Sequence, residues 1–295
     1  MRNAGRVAPV TALVGVTAVW GWTFLVVRDA VGHYPVPAFL ALRFGIASLC
    51  LLPLLRRGGG GGLAAGVAPG AVLALAYLFQ TLGLQHTTAS KAGLLTGLFV
   101  IMTPVLELAL YRRRPGVFTV GAVTVALVGT ALVAGPGALH SASGEALGDA
   151  LEVLTALLVS LHMIVLGRVA RGRSASSLAV SQMSTACLLF VASAVPGGGI
   201  PMPSLIVWIT LFITGALASA LAFLVQTYVQ QRISPTRTAL ILVMEPAFAL
   251  LFGVLLATDR FTRWQALGAT LILVALLVHE GAPLVIAARP QSAGS

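Results

Sequence analysis

Residues 87–116, TTASKAGLLTGLFVIMTPVLELALYRRRPG, share a pattern of residue types with residues 233–262, ISPTRTALILVMEPAFALLFGVLLATDRFT. Lys91 in the first stretch aligns with Arg237 in the second at an offset of 146 residues. An apolar segment of helix length follows each stretch, and these two segments align at an offset of 147 residues. The chain therefore contains an internal repeat, and its repeat unit determines the fold.

Apolar segments long enough to cross a membrane flank both stretches. The chain is 58% hydrophobic and 9% charged, whereas a soluble domain carries roughly 25% charged residues. At about 1.5 Å per residue, a helix of about 20 residues crosses the hydrocarbon core of a bilayer. Ten segments meet this length, at residues 8–27, 36–55, 66–86, 90–111, 117–135, 148–169, 175–195, 204–229, 236–257 and 263–281. We predict an all-α membrane protein with ten transmembrane helices.

Each copy of the repeat contains five of these segments. Because five is an odd number, the second copy must lie inverted in the membrane relative to the first. We therefore predict two inverted five-helix repeats around a central cavity, with the substrate site at their interface. The predicted divisions are a first repeat at 1–135, an external linker at 136–147, a second repeat at 148–282 and a cytoplasmic tail at 283–295.

The prolines of the two matching stretches do not coincide. Pro104 lies 13 residues after Lys91, whereas Pro246 lies 9 residues after Arg237. A proline inside a transmembrane helix removes one backbone donor and loosens the helix. We expect a kink at each proline.

The formal charge of +10 is distributed in a way that indicates membrane topology. If the N-terminus is inside, thirteen arginines flank the inner ends of the segments and only Arg28, Lys91, Arg260 and Arg263 lie outside. The positive-inside rule then places both termini in the cytoplasm. The expected inner loops lie near residues 58, 113, 172 and 233, and the expected outer loops near 32, 88, 141, 199 and 260.

Several other classes of protein and site are disfavoured. The basic residues do not gather in one folded surface, so we expect no nucleic-acid partner. The first apolar run is too long for a cleavable signal peptide and stays attached. Cys50 and Cys187 both fall within predicted spans, and no spacing of Cys and His matches a metal site. Gly58–Gly62 lacks the residues of a phosphate-binding loop and is interpreted as a linker. We expect no cofactor and no metal.

The order of short motifs resembles the bacterial drug/metabolite transporter superfamily, in particular EamA-type permeases. The resemblance is carried by WGWTFLVV at residues 20–27, by PVPAFLALRFGIA at residues 35–47, and by the two stretches quoted above. It implies a basket of helices 1 to 4 and 6 to 9 around a cavity, with helices 5 and 10 more peripheral. It also implies export of small metabolites, often amino acids, through the bacterial cytoplasmic (inner) membrane.

Arg43 is the first candidate for substrate binding. It lies about seven residues into the second helix, roughly 10 Å deep, where a charge must be paired or face a watery cavity. Its guanidinium could bind a substrate carboxylate, or it could form a structural pair with Glu107, Glu245 or backbone carbonyls. Gln182 occupies the corresponding place in the seventh helix at an offset of 139 residues and is a second candidate.

Acidic residues within the spans have separate interpretations. Glu245 lies roughly 13 Å deep and is a candidate for proton coupling, or else a neutral partner of the backbone beside Pro246. For Glu107 we expect a local ion pair with Arg112. Glu152 lies near the outer end of the sixth helix, where the helix dipole favours an acid.

Aromatic and polar side chains within the spans complete the candidate list. Small-molecule sites combine aromatic walls with a few polar groups, so we add Trp20, Tyr77, Gln80, His162 and Gln226 as substrate-binding candidates. Trp22, Phe24 and Tyr228 belong to the same inventory, and His162 and Tyr228 also have purely structural interpretations. We interpret the small residues Gly215, Ala216, Ser219 and Ala220, and likewise Gly70 and Ala74, as close helix contacts.

The sequence thus predicts a multi-pass secondary transporter and no enzyme, because no cluster of catalytic side chains is visible. Its predicted partners are a small-molecule substrate and the lipid bilayer, and a homodimer is left open. A lipid or drug translocator of the same architecture, a channel and a membrane-embedded enzyme are the alternatives.

Overall fold

The computed structural model describes residues 4–55, 62–135, 145–257 and 262–288, and all regular elements in these ranges are helical. The α-helices are α1 (Ala4–His33), α2 (Val36–Leu51), α3 (Leu63–His86), α4 (Ala89–Thr96), α5 (Phe99–Tyr111), α6 (Val117–Ala134), α7 (Ala146–Val169), α8 (Ala175–Ala194), α9 (Leu205–Ile213), α10 (Ala222–Gln230), α11 (Pro235–Leu242), α12 (Glu245–Ala257) and α13 (Arg263–Ala288). A π-helical stretch, the π segment (Thr214–Leu221), connects α9 to α10. Short 3₁₀ turns occupy Leu52–Leu54 and Val195–Gly197.

Eight stretches of the described chain are long and apolar enough to cross a membrane. They are Val36–Leu54, Leu63–His86, Lys91–Tyr111, Val117–Ala134, Ala146–Val169, Ala175–Gly197, Leu205–Gln230 and Pro235–Phe252. The terminal helices α1 and α13 are not among these eight. Large apolar side chains such as Leu188, Phe212 and Leu255 are exposed on the outside of the bundle, as expected where lipid is the surrounding solvent.

Some sequence predictions concern residues outside the described ranges. Most of the predicted linker at 136–147 and of the tail at 283–295 lies there, as do the loops near residues 58, 141 and 260. The second repeat begins within the described chain, at Ala146.

The two matching stretches fold alike, residue for residue. Thr88 accepts a hydrogen bond from the backbone of Lys91 and caps α4, and Ser234 accepts one from the backbone of Arg237 and caps α11. Hydroxyl side chains at this position satisfy donors that the first helical turn leaves without partners. The 146-residue offset of the sequence is thus also the offset of the helix starts.

Both stretches also break at the same place, but only one of the two prolines lies next to its break. The first stretch breaks between Thr96 and Phe99, and the second between Leu242 and Glu245, again at an offset of 146. Pro246 is the second residue of α12, where a backbone donor has no helical acceptor, and Pro104 lies in the second turn of α5. Since the breaks coincide and the prolines do not, the expected kinks at the prolines do not explain the breaks.

When each helix is replaced by its counterpart in the other repeat copy, one packed pair of helices becomes another packed pair. The helix α1 packs against α12, and its counterpart α7 packs against α5; likewise α3 packs against α8, and the π segment packs against α2. Two pairs, α2 with α8 and α6 with α13, join counterparts directly. Gly129 and Gly268 approach so closely in the last pair that a side chain on either would meet the other's carbonyl oxygen within 2.7 Å.

Two ends of the bundle are distinguished by their polar contacts. At the Lys91 end, Lys91 forms ion pairs with Glu145 at 3.1 Å and with Asp149 at 2.6 Å. At the Arg237 end, Arg237 pairs with Glu280. Lys91 and Glu107 lie near the two ends of the broken helix α4–α5, and Glu107 contacts Thr236 beside Arg237, so the two ion pairs lie at opposite ends of this helix.

Candidate functional site

A central cavity with a volume of about 70 Å³ lies among α1, α2, α3, α7, α10 and the broken helix pairs. It brings together seven of the side chains predicted from the sequence: Trp20, Arg43, Tyr77, Gln80, His162, Gln226 and Glu245. Ligand pockets typically occupy about 300–1,000 Å³, so this cavity is small for a ligand pocket.

Arg43 is a buried cation held by neutral groups. It is 4% exposed, its Nε donates to Ser219 Oγ at 2.8 Å, and its guanidinium carbon lies 4.8 Å from the centre of the Tyr77 ring. Within the described chain, no carboxylate forms an ion pair with it. The predicted structural pairs with Glu107 and Glu245 are therefore not formed, and the cation faces the cavity.

The interpretation of Ser219 as a helix contact alone was wrong. Ser219 lies in the π segment, where a widened turn alters the register of side chains and carbonyls. Its hydroxyl accepts from Arg43, and the carbonyl of the preceding Ala218 accepts from Trp20 Nε1 at 2.7 Å. Gly215 fills its expected role, because a Cβ there would lie within 3.0 Å of Ile46 and the Arg43 carbonyl.

Phe223 is the centre of an aromatic cluster that the sequence analysis missed. Its ring centroid lies 5.3 Å from that of Trp20, 6.0 Å from that of Tyr77 and 5.8 Å from that of His162. These distances are typical of favourable aromatic pairs. Phe223 gave no signal in the sequence because a phenylalanine in an apolar span is equally suited to contact lipid.

The Trp20-Gly21 pair connects the cavity to the second broken helix. Trp20 lines the cavity, and a Cβ on Gly21 would meet the Glu245 carbonyl and the Ala249 backbone at 2.8 Å. The missing side chain therefore lets α1 lie directly on α12, with Trp20 and Glu245 on the same cavity wall. Within the described chain, no side chain hydrogen bond to Glu245 is formed.

Gln182 does not line the cavity and instead lies behind His162. Its Nε2 donates to Leu178 O at 3.3 Å and Thr227 Oγ1 at 3.2 Å, which leaves its Oε1 to accept from His162 Nε2 at 2.8 Å. This arrangement fixes the imidazole ring while His162 itself lines the cavity. Gln182 is thus a positioning residue in this geometry.

Other predicted residues lie away from the cavity. Trp22 does not line it, and Tyr228 is exposed and stacks with Arg232 at 3.7 Å. The side chain of Phe24 lies outside the described part of the structure. The predicted ion pair of Glu107 with Arg112 is not formed, because Glu107 accepts hydrogen bonds from the backbone and hydroxyl of Thr236 at the start of α11.

Comparison with known proteins agrees with this geometry. The sequence profile of the EamA-like transporter family matches the chain twice, over residues 8–135 and 146–279. The chain belongs to the EamA-like transporter family. An uncharacterized transporter from Archaeoglobus fulgidus is 31% identical over 263 residues, which cover 89% of this chain and 82% of that protein. A crystal structure of a protein with 19% sequence identity has the same fold, with a TM-score of 0.77 over 93% of this chain and 96% of that one.

This EamA-like membrane transporter therefore has a lipid bilayer and a small-molecule substrate as its partners. In its described residues, no group of three or more His, Cys, Asp and Glu side chains is arranged to hold a metal ion.

A second cleft of about 480 Å³ lies at the Lys91 end of this EamA-like transporter. Leu84 lines both this cleft and the central cavity, and the other walls of the cleft include Gln85, Thr87 and Glu145. The Leu84 side chain therefore borders both the cavity and the cleft at the Lys91 end. At the Arg237 end, Gln226 donates to Gln230, which donates to the Met163 carbonyl.

Proposed function

We propose that this protein is a secondary transporter of small zwitterionic metabolites, amino acids or related compounds, and that its net direction is export. One observation carries the proposal: the buried Arg43 has no carboxylate partner in the described chain and faces an aromatic cavity. A cation buried without a counter-charge is costly. A substrate carboxylate would supply the missing charge through the planar guanidinium fork.

Glu245 supplies the complementary group. It lines the same cavity and makes no hydrogen bond through its side chain to the described residues. A substrate ammonium group would be a suitable partner for its carboxylate, and an aromatic wall of Trp20, Tyr77 and Phe223 would cover the substrate's apolar part. In the absence of substrate the same carboxyl group can hold a proton, so Glu245 also supports proton coupling.

We further propose that ten spans form two inverted repeats that alternate access to the cavity. Three observations support this: the family profile matches twice, the helix caps and the helix breaks share one offset, and the packed pair α1 and α12 has a counterpart in the packed pair α7 and α5. Two nearly equivalent halves of opposite orientation can exchange conformations and so expose the site to either side.

The arginine distribution supports a location in the bacterial cytoplasmic membrane with both termini in the cytoplasm. In that orientation the Lys91 end faces outward and the Arg237 end faces the cytoplasm.

Counterflow in proteoliposomes tests the proposed substrate class. Liposomes containing the purified full-length protein are loaded with one unlabelled amino acid, and uptake of the labelled compound is measured over a panel of amino acids, their amides and their decarboxylated amines. We expect uptake of one or more amino acids and none of the matching amides or amines. Arg43→Gln should weaken uptake, whereas the exposed Arg232→Gln controls for loss of one positive charge.

Two results would contradict the proposal. Equal uptake of amino acids and their amides would show that Arg43 does not recognise a carboxylate. Uptake that rises linearly with concentration and never saturates would indicate a pore.

A further inference from the structure

Glu152 in α7 is a buried carboxyl group outside the central cavity. Its side chain is fully buried, and its Oε2 accepts a hydrogen bond from Thr96 Oγ1 at 2.6 Å. Its Oε1 is buried and has no hydrogen-bond partner in the described chain. The sequence analysis assigned this residue to the end of a helix, but it lies against α3 and α4 inside the bundle.

The neighbouring helices are shaped around this carboxyl group. A Cβ on Gly83 in α3 would lie 2.7 Å from Glu152 Oε1, so glycine leaves room for the carboxyl group in this position. Thr96, the last residue of α4 before the break, provides the single hydroxyl donor. One helix therefore makes space for the group and another binds it.

Among the described residues, no basic side chain forms an ion pair with Glu152. The nearest basic side chain along α4 is Lys91, and it pairs with Glu145 and Asp149. Asp149 lies one turn before Glu152 on α7 and opposes a second negative charge. The titratable and charged groups on α7 and on the helices packed against it are Tyr77, His86, Lys91, Glu107, Tyr111, Asp149, His162, Arg168, Tyr228 and Arg237, and none of them hydrogen bonds to Glu152.

A carboxylate in this environment would have one hydrogen bond and no counter-charge, which makes the charged form costly. The neutral acid avoids that cost, but its Oε1 still has no partner. Neither the charged nor the neutral form of Glu152 has a hydrogen-bond or charge partner for both carboxyl oxygens, as is expected of a group that binds and releases a proton.

The position of Glu152 connects it to both cavities. Thr96 lines the central cavity, and Leu84, which follows Gly83, lines both the central cavity and the cleft at the Lys91 end. The carboxyl group thus lies beside Gly83, whose neighbour Leu84 borders both spaces.

We propose that Glu152 is a proton-binding site, separate from Glu245, that exchanges its proton with the central cavity through the Thr96 hydroxyl. In the binding step, a hydronium ion in the cavity gives a proton to Thr96 Oγ1. At the same time the Thr96 O–H bond breaks and its proton moves to Glu152 Oε2. The products are a water molecule, a neutral threonine and a neutral Glu152.

Infrared difference spectroscopy on the full-length protein in lipid tests proton binding without any substrate. On stepping from acid to alkaline pH, we expect loss of the C=O stretching band of a protonated carboxyl group. Glu152→Gln should remove this band, Glu245→Gln should leave it, and Thr96→Val should shift its frequency because the hydroxyl donor is gone. Should Glu152→Gln fail to fold, the Thr96→Val shift decides the question.

Two spectroscopic results would overturn the inference. If neither Glu152→Gln nor Thr96→Val alters any carboxyl band that changes with pH, Glu152 does not titrate. If the band assigned to Glu152 persists at every pH at which the protein is folded, the group is a permanently neutral structural acid.

A role in coupling rests on the proposed transport function and has a separate readout. In proteoliposomes with an internal pH dye, amino-acid flux through the wild type should carry protons, and Glu152→Gln should reduce the proton flux more than the amino-acid flux. Equal reduction of both fluxes would overturn the coupling role. If the wild type transports no amino acid, the proposed function fails and the infrared result stands unaffected.

Discussion

Arg43 Nε donates a hydrogen bond to Ser219 Oγ at 2.8 Å, which joins a buried cation in the first half of the chain to the π segment of the second. The acceptor is neutral, so this bond orients the guanidinium without cancelling its charge. The orientation of the proposed substrate-binding group is therefore set by the other half of the protein.

Ser219→Ala should weaken substrate binding without removing any charge from the cavity. Loss of a hydrogen bond to a charged group costs about 1.5–3 kcal/mol, so we expect an increase in Kd of about 10- to 100-fold for carboxylate-bearing substrates. Ser184→Ala is the matched control, because its hydroxyl contacts Ser48 away from the cavity. An unchanged Kd in Ser219→Ala would show that Arg43 needs no orientation by the π segment.

Gly21→Ala should destabilise the protein, because the added methyl group would collide with the α12 backbone at 2.8 Å. Overpacking of this kind costs about 1–3 kcal/mol, seen as a lower Tm in detergent. Gly15→Ala in the same helix is the control, since nothing lies within 4 Å of a Cβ there. A Tm for Gly21→Ala equal to that of the control would argue against the close contact of α1 with α12.

Arg171→Cys and Met202→Cys, made separately in a variant with Cys50 and Cys187 replaced by alanine, should report opposite sides of the membrane. Both positions are exposed and lie at opposite ends of α8. With the proposed orientation, an impermeant thiol reagent labels position 202 in intact cells and position 171 only after permeabilisation. The reverse pattern would invert the topology, and labelling of both positions in intact cells would reject a membrane-spanning α8.

Leu84→Cys and Gln226→Cys should test alternating access. Leu84 borders the cleft at the Lys91 end. Gln226 hydrogen bonds to Gln230 toward the Arg237 end. We expect impermeant reagents to reach position 84 from outside and position 226 from inside, and a saturating substrate to change the two rates in opposite directions. Parallel changes, or free access to both positions from one side, would favour a continuous pore.

The internal repeat could be predicted in detail because it depends on local signals. Thr88 and Ser234 each precede a basic residue by three positions, and in both repeat copies this hydroxyl side chain caps a helix. The 146-residue offset therefore carried over from sequence to helix starts and even to the breaks after Thr96 and Leu242. The prolines were the misleading signal for the breaks, because a helix can hold a proline near its start without breaking there.

The candidate site could be predicted only in part. Arg43 and Gln80 were chosen as candidates because a charged or polar residue at membrane depth is unusual, and Tyr77 because aromatic walls are typical of small-molecule sites. The partners that hold them were not found, since Ser219 is equally expected at a plain helix contact. Glu107 could reach Thr236 instead of Arg112 only because the fold brings the end of α5 to the start of α11.

The sequence by itself indicated an all-helical membrane protein, its internal repeat and its family, because residue type and hydropathy are read along the chain without tertiary contacts. Only the tertiary structure decided which face of each helix turns inward. Lipid is as apolar as the protein interior, so an apolar helix carries no strong polar face to reveal its rotation. Phe223 in the cavity wall and Glu152 behind it were therefore assigned by helix packing, which acts between residues far apart in the chain.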